Sequence, residues 1–234
     1  MKSTDEQLKT RGFAADDDIN KASSLSYTQL CEAMDSPSAV LRTVTVKLLA
    51  KHKDSGEEML PLFVERLGKE QALYTRLALC EALACGGIAA ALLLVPCCGK
   101  IGSNQYKSLP PRPSKKTSFP LPRDIAARTL GTMGTEIAPV LRQALLNGGD
   151  SISELVDAFG YLASKNPELD TVENAAVIES VLAKYHGCEL IMWKCIVALS
   201  AFPKGRNEEM LQQLEASGRP ELIKAEARRS LSLT

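Results

Sequence analysis

The chain of 234 residues carries 28 basic and 28 acidic side chains and no net charge, so no global field steers it toward nucleic acid or an anionic membrane. Aromatic residues are only 5% against 45% hydrophobic, which disfavours a β-sandwich and favours helices packed through small and aliphatic side chains. Seven cysteines, mostly within apolar helical runs, and a polar stretch from Met1 to Asp18 with no secretory signal lead to the expectation of reduced, mostly buried thiols in a cytoplasmic protein.

Residues 1–23 read as a charged, partly disordered leader, with Asp16, Asp17 and Asp18 as a solvated run. Ser24 is placed to cap a helix through about Met34, and Ser36-Pro37 to start the next one, with proline at the first helical position. That helix has Val40, Leu41, Val44, Leu48 and Leu49 at helical spacing and runs to about His52. Its partner covers roughly Gly56 to Leu67, closed by Gly68. The next pair is expected at about 70–85 and 87–97, with Leu73, Leu77, Leu79, Cys80 and Leu83 in the first helix. Ala82 to Gly99 has no charge, but Gly86-Gly87 and Pro96 interrupt it, so two buried helices explain it better than a membrane span. Further pairs follow at about 122–133 and 135–147, closed by Asn147-Gly148-Gly149, and at about 151–164 and 171–186. The last elements are about 188–201, 207–216 with Asn207 as cap, and 220–232 starting at Pro220.

These helices repeat. Arg42, Arg76, Arg128, Lys194 and Arg228 occupy one aligned position at intervals of 34, 52, 66 and 34 residues. The 66 is two units, because Asp157-Ala158-Phe159-Gly160 matches Arg128-Thr129-Leu130-Gly131 midway, and the 52 is one unit plus an insertion. Neither helix of a pair can bury its apolar face alone, so stacked neighbours must share a continuous core. The expected fold is all-α: a right-handed α-α solenoid of about five to six helix pairs, forming a single domain over 24–234. The aligned cations are expected to pair with acidic residues of the neighbouring unit.

Asp35 to Ala50 (DSPSAVLRTVTVKLLA), Glu70 to Ala84 (EQALYTRLALCEALA) and Arg123 to Gly134 (RDIAARTLGTMG) carry an acidic start, a Val-Arg-like pair, then Ala and Leu. Glu154 to Ala163 and Glu189 to Phe202 are weaker copies. The pattern resembles HEAT-like repeat proteins of the short bacterial type. The resemblance implies a binding scaffold but assigns no partner.

One feature departs from the repeat. A loop at 102–122 sits between helix pairs, and Gly102 to Asp124 holds five of the twelve prolines. That density forbids a helix and favours extended geometry. From Gly99 to Arg128 seven cations face Asp124 alone, a local charge of +6 in a neutral chain. The binding residues this suggests are Asn104, Gln105, Tyr106, Lys107, Arg112, Lys115, Lys116, Arg123 and Arg128. Lysine and arginine offer charge and forked donors to phosphate or carboxylate. Tyr106 and Phe119 can stack on a base or pack the loop down, and Asn104 and Gln105 can bond a ligand edge. A solvated excursion that touches nothing external is the plainer alternative.

Other constellations carry less. Cys80, Cys85, Cys97 and Cys98 lack metal-ligand spacing, two histidines do not furnish a zinc or triad site, and no metal or cofactor is expected. Asp124, Asp150 and Asp157 have ordinary roles as helix starts or exposed faces, and Trp193 reads as core. The leading expectation is a non-enzymatic interaction scaffold that binds an acidic protein segment or other anionic partner through the loop and adjoining helices. A nucleic-acid-binding protein resembling the HEAT-like alkylpurine DNA glycosylases is the alternative, although no cluster of tryptophan and tyrosine is evident to build that pocket. A lyase of the bilin-lyase-like HEAT group is a more distant one.

Overall fold

Side-chain caps at Thr4, Ser26, Ser38, Asp124 and Thr171 set where five of the helices begin. The computed structural model describes residues 3–52, 55–112, 118–202 and 207–233, and among these the regular structure is fourteen α-helices and three 3-10 turns, with no strand. Contacts divide the chain into two compact units, Met1–Leu93 and Leu94–Thr234.

The first unit contains α1 (Asp5–Thr10), α2 (Asp16–Ala22), α3 (Tyr27–Ala33), α4 (Ala39–Leu49), α5 (Met59–Lys69), α6 (Leu73–Ala84) and α7 (Gly87–Leu94). The leader read as partly disordered thus carries α1 and α2, and both pack on α4. Thr4 and Ser26 each form a capping box, with Gln7 and Gln29 reaching back to the cap backbone. Asp18 does the same for Ala15, so the acidic run is partly structural.

Two expected caps shift by two residues. Ser26, not Ser24, caps α3, and Ser38, not Ser36, caps α4, its hydroxyl accepting from the Leu41 N–H. Ser36 instead accepts from the Ser38 N–H, closing the turn before the helix. Gly68 does not end α5, which continues to Lys69. Leu73 and Leu77, read as apolar positions of this helix, are 40% and 45% exposed on α6. The buried side of α6 is built from Thr75, Ala78, Leu79 and Leu83.

Glu70 ties α4, α5 and α6 together. Its side chain is 1% exposed and accepts Nε and Nη2 of Arg42, each at 2.8 Å. It also accepts two bonds from Arg66 and the backbone N–H groups of Gln71 and Ala72 ahead of α6. Thr43 and Thr75 complete the α4–α6 contact through a buried 2.8 Å hydrogen bond.

The second unit opens with a 3-10 turn, Val95–Cys97, and the described residues between it and Asp124, 98–112 and 118–123, are non-helical. There follow α8 (Ile125–Gly131), a 3-10 turn Thr135–Ile137, α9 (Ala138–Asn147), α10 (Ile152–Lys165) and a third turn, Pro167–Leu169. The chain then forms α11 (Val172–Lys184), α12 (Glu189–Leu199), α13 (Asn207–Glu215) and α14 (Glu221–Leu231). Neighbours pack in series: α8 on α10, α10 on α12, α12 on α14, and α9 on α11. The matched glycines permit this closeness. A Cβ on Gly131 would lie 2.9 Å from the Tyr161 ring, and one on Gly160 would lie 2.9 Å from Cα of Ala198 on α12. Asn207 turns inward instead of capping α13, donating to the carbonyls of Leu199 and Phe202.

All seven cysteines are free, but only Cys98 and Cys195 are buried, fewer than expected. Among the described residues no helix is long and apolar enough to cross a membrane.

Burial alone would raise the pKa of Glu70, yet Arg42, the Ala72 N–H and Arg66 outweigh it and hold the carboxyl at about 2, against an ordinary 4.5. A depressed carboxyl stabilises the fold above its unfolded pKa and loses that contribution as pH falls through its folded one. Glu70→Gln should therefore cost about 2–3 kcal/mol at neutral pH. Urea midpoints of the two proteins should converge as pH falls from about 5 toward 2. A gap independent of pH would contradict this.

Candidate functional site

The basic segment is held down at both ends by one carboxylate. Asp124 is fully buried at the N-cap of α8, where Oδ1 accepts the Ala127 N–H at 2.8 Å. Its Oδ2 accepts the Gly99 N–H at 3.1 Å and Nε2 of Gln105 at 2.6 Å. Gln105 donates its other amide proton to the Ile101 carbonyl. The residue that ends the segment therefore also fixes its start.

Aromatic contacts anchor the middle. Tyr106 meets the ring of Trp193 edge-on, with centroids 5.3 Å apart and planes at 86°. Cζ of Arg123 lies over the Tyr106 ring, 4.3 Å from its centroid, and Nη2 donates to Oδ1 of Asn104. Phe119 packs beside Tyr161, with centroids 6.3 Å apart, directly over Gly160. Arg128 reaches back from α8 to donate to the Pro122 carbonyl at 2.9 Å.

The nine expected binding residues thus separate into groups. Asn104, Gln105, Tyr106, Arg123 and Arg128 make internal contacts that hold the segment's shape. Lys107 and Arg112 are exposed. Lys115 and Lys116 lie outside the described residues. Lys100 and Arg123 add exposed charge to the same segment. Among the described residues, none of these cations is ion-paired, while the segment's one acid, Asp124, is buried and occupied. What remains outward is cationic.

Beneath the segment is a charged cluster that the sequence did not reveal as such. Lys194 is fully buried in α12, with Nζ 2.6 Å from Oε1 of Glu154 and 2.8 Å from Oδ2 of Asp157. Asp157 was expected on an exposed face and instead retains 18% of its side-chain surface against Lys194. Oε2 of Glu154 is buried and has no hydrogen-bond partner among the described residues. A lysine inside the otherwise apolar run Ile191 to Leu199 was the available signal, since such a residue must find carboxylates when buried. Trp193 beside it is core, as read, and donates Nε1 to Oε2 of Glu226 on α14 at 3.0 Å.

Electrostatics define what the cluster can do. Burial would lower the pKa of Lys194, but Asp157 and Glu154 outweigh it and keep the group above its ordinary value, as an ammonium. It therefore supplies no neutral amine for nucleophilic attack. Burial raises the Cys98 and Cys195 thiols, and neighbouring carboxylates add to the rise, so neither forms a ready thiolate. Among the described residues no group of His, Cys, Asp or Glu side chains is arranged to hold a metal ion.

Other aligned cations meet acids too: Arg42 meets Glu70, and Arg228 meets Glu215 at 2.8 Å. Arg128 departs from that expectation, taking a backbone carbonyl.

Compared with family models, with curated proteins and with solved structures, the chain gives no significant match.

Burial pushes the Asp157 carboxyl up to about 6 from an ordinary 3.8, Glu154 and Asp124 adding to the rise and Lys194 opposing it. Between those values the folded chain holds a proton that the unfolded chain has released, so stability falls as pH rises across the window. The fall is up to about 3 kcal/mol. Asp157→Asn should flatten that slope in denaturant midpoints taken across the window; an unchanged slope would place the titration elsewhere.

Proposed function

We propose that this chain is a non-enzymatic interaction scaffold, and that the second unit takes an acidic protein segment on the outward face of the segment between Gly99 and Arg128. One observation carries the reading: Lys100, Lys107, Arg112 and Arg123 are exposed without a carboxylate partner among the described residues, on a backbone that Asp124 and Tyr106 hold in shape. Preorganised cations capture carboxylates with less ordering cost than a free tail would incur.

The scaffold reading draws on the helix order within each unit. We take each unit as a short run of HEAT-like pairs, and the full repeat as the right-handed solenoid that the sequence suggests. Support comes from side-chain bonds one repeat apart: Tyr27 to Met59, Thr43 to Thr75, Arg142 to Asn174, Trp193 to Glu226 and Ser230 to Ile196 span 32 to 34 positions. A repeat of about that length in packed helix pairs is the mark of such arrays.

The nucleic-acid alternative is weaker for a specific reason. Tyr106 is engaged edge-on by Trp193 and covered by the Arg123 guanidinium, and Trp193 is 7% exposed, so neither ring offers an open face to stack on a base.

Fluorescence polarisation of a labelled oligoglutamate peptide at low salt tests the proposal. The full chain should bind it, and the double reversal Lys107→Glu, Arg112→Glu should weaken binding roughly tenfold. Thermal stability should hardly move, because exposed charges contribute little to folding. Failure to bind, or equal binding by the variant, would refute the reading. Tighter binding of a duplex or single strand, with a steep linear dependence on the logarithm of salt, would favour nucleic acid instead.

A further inference from the structure

Resting on that reading, we infer that the acidic partner carries one large apolar side chain, and that it seats in a cleft beside the basic segment. The cleft measures about 290 Å³ and is lined by Phe119, Ala163, Ser164, Pro167, Asp170, Ser200, Ala201 and Leu233. It lies wholly within the second unit. Phe119 belongs both to the basic segment and to the cleft wall, and so places the cleft beside that segment.

The lining specifies the chemistry of the occupant. Both serines direct their hydroxyl protons at their own helix: Ser164 donates to the Tyr161 carbonyl at 2.8 Å and Ser200 to the Val197 carbonyl at 2.7 Å. Neither proton is left for a ligand. The remaining walls are an aromatic ring, two alanines, a leucine and a proline, which reward burial of hydrocarbon. Asp170 is the one carboxylate of the lining, and it disfavours a second acid here. Carboxylates of the partner therefore go to the cations of the segment, and its apolar side chain goes to the cleft. Gly160 helps to make the site, since a Cβ there would come within 2.9 Å of Cζ of Phe119 and displace the ring.

The test compares two labelled peptides on the full chain: oligoglutamate, and the same peptide with one central glutamate replaced by phenylalanine. The phenylalanine peptide should bind roughly tenfold more tightly, the scale expected from burying one large apolar side chain. Ser164→Trp, which fills the cleft from α10, should erase that advantage and leave oligoglutamate binding unchanged. Leu233→Trp fills it from another wall and should act the same way if the first variant folds poorly. Equal affinities in the unaltered chain, or an advantage that survives both fillings, would overturn the cleft while leaving the basic segment as the binding site. If neither peptide binds, the scaffold reading fails and the cleft inference fails with it.

Discussion

The candidate site depends on the Asp124 carboxylate. A proline-rich, cationic segment of this length repels itself and has no ladder of its own to satisfy its backbone. Asp124 supplies what the segment lacks: one buried acceptor that takes the Gly99 N–H, the Gln105 amide and the first turn of α8 together. Both ends are thereby joined, and the acid that would otherwise neutralise the surface is withdrawn from it. Glu70 does comparable work in the first unit, collecting Arg42, Arg66 and two backbone donors where α6 begins. In each unit a buried carboxylate just ahead of a helix converts a chain crossing into a fixed joint.

A second layer supports the first. Lys194, Glu154 and Asp157 place charge where water is scarce, which costs stability unless every group finds a partner. The arrangement is incomplete, with Oε2 of Glu154 lacking a partner among the described residues and burial pushing the Asp157 carboxyl up to about 6. What it fixes is the register of α10 against α12, and hence the position of Trp193, on which Tyr106 rests. Trp193 is in turn bonded to Glu226, so the middle of the basic segment is referred through two contacts to α14. The site is assembled by helices distant in sequence.

Much of the fold was legible because amphipathic periodicity and capping are local. Val44 and Leu49 are in the core as read, Gly148 and Gly149 adopt the positive φ that closes α9, and Gly131 and Gly160 matched because each sits where two helices nearly touch. Local signals erred where two candidates competed, as with Ser36 and Ser38, or where an apolar residue had no neighbour to cover it, as with Leu73 and Leu77. The site was half legible. Charge excess marked the segment, yet nothing local showed that Asn104, Gln105, Tyr106 and Arg123 would turn inward, since their partners lie up to 87 positions away. The pairing of Lys194 with Asp157 was hidden for the same reason: a 37-residue separation is visible only once α10 and α12 are in contact.

The functional logic follows from this division of labour. Five of the expected binding residues hold a platform, and the cations left over present charge from it. The idea that the platform is rigid is what separates a recognition surface from a tolerated insertion, and amide hydrogen exchange on the unaltered chain measures it most directly. Bonded to a buried carboxylate, the Gly99 N–H should exchange as slowly as amides of α8, and should lose that protection in Asp124→Ala while α12 keeps its own. Rapid exchange at Gly99 in the unaltered chain, at the rate of an unstructured segment, would show that the tie does not hold and that no fixed cationic face exists.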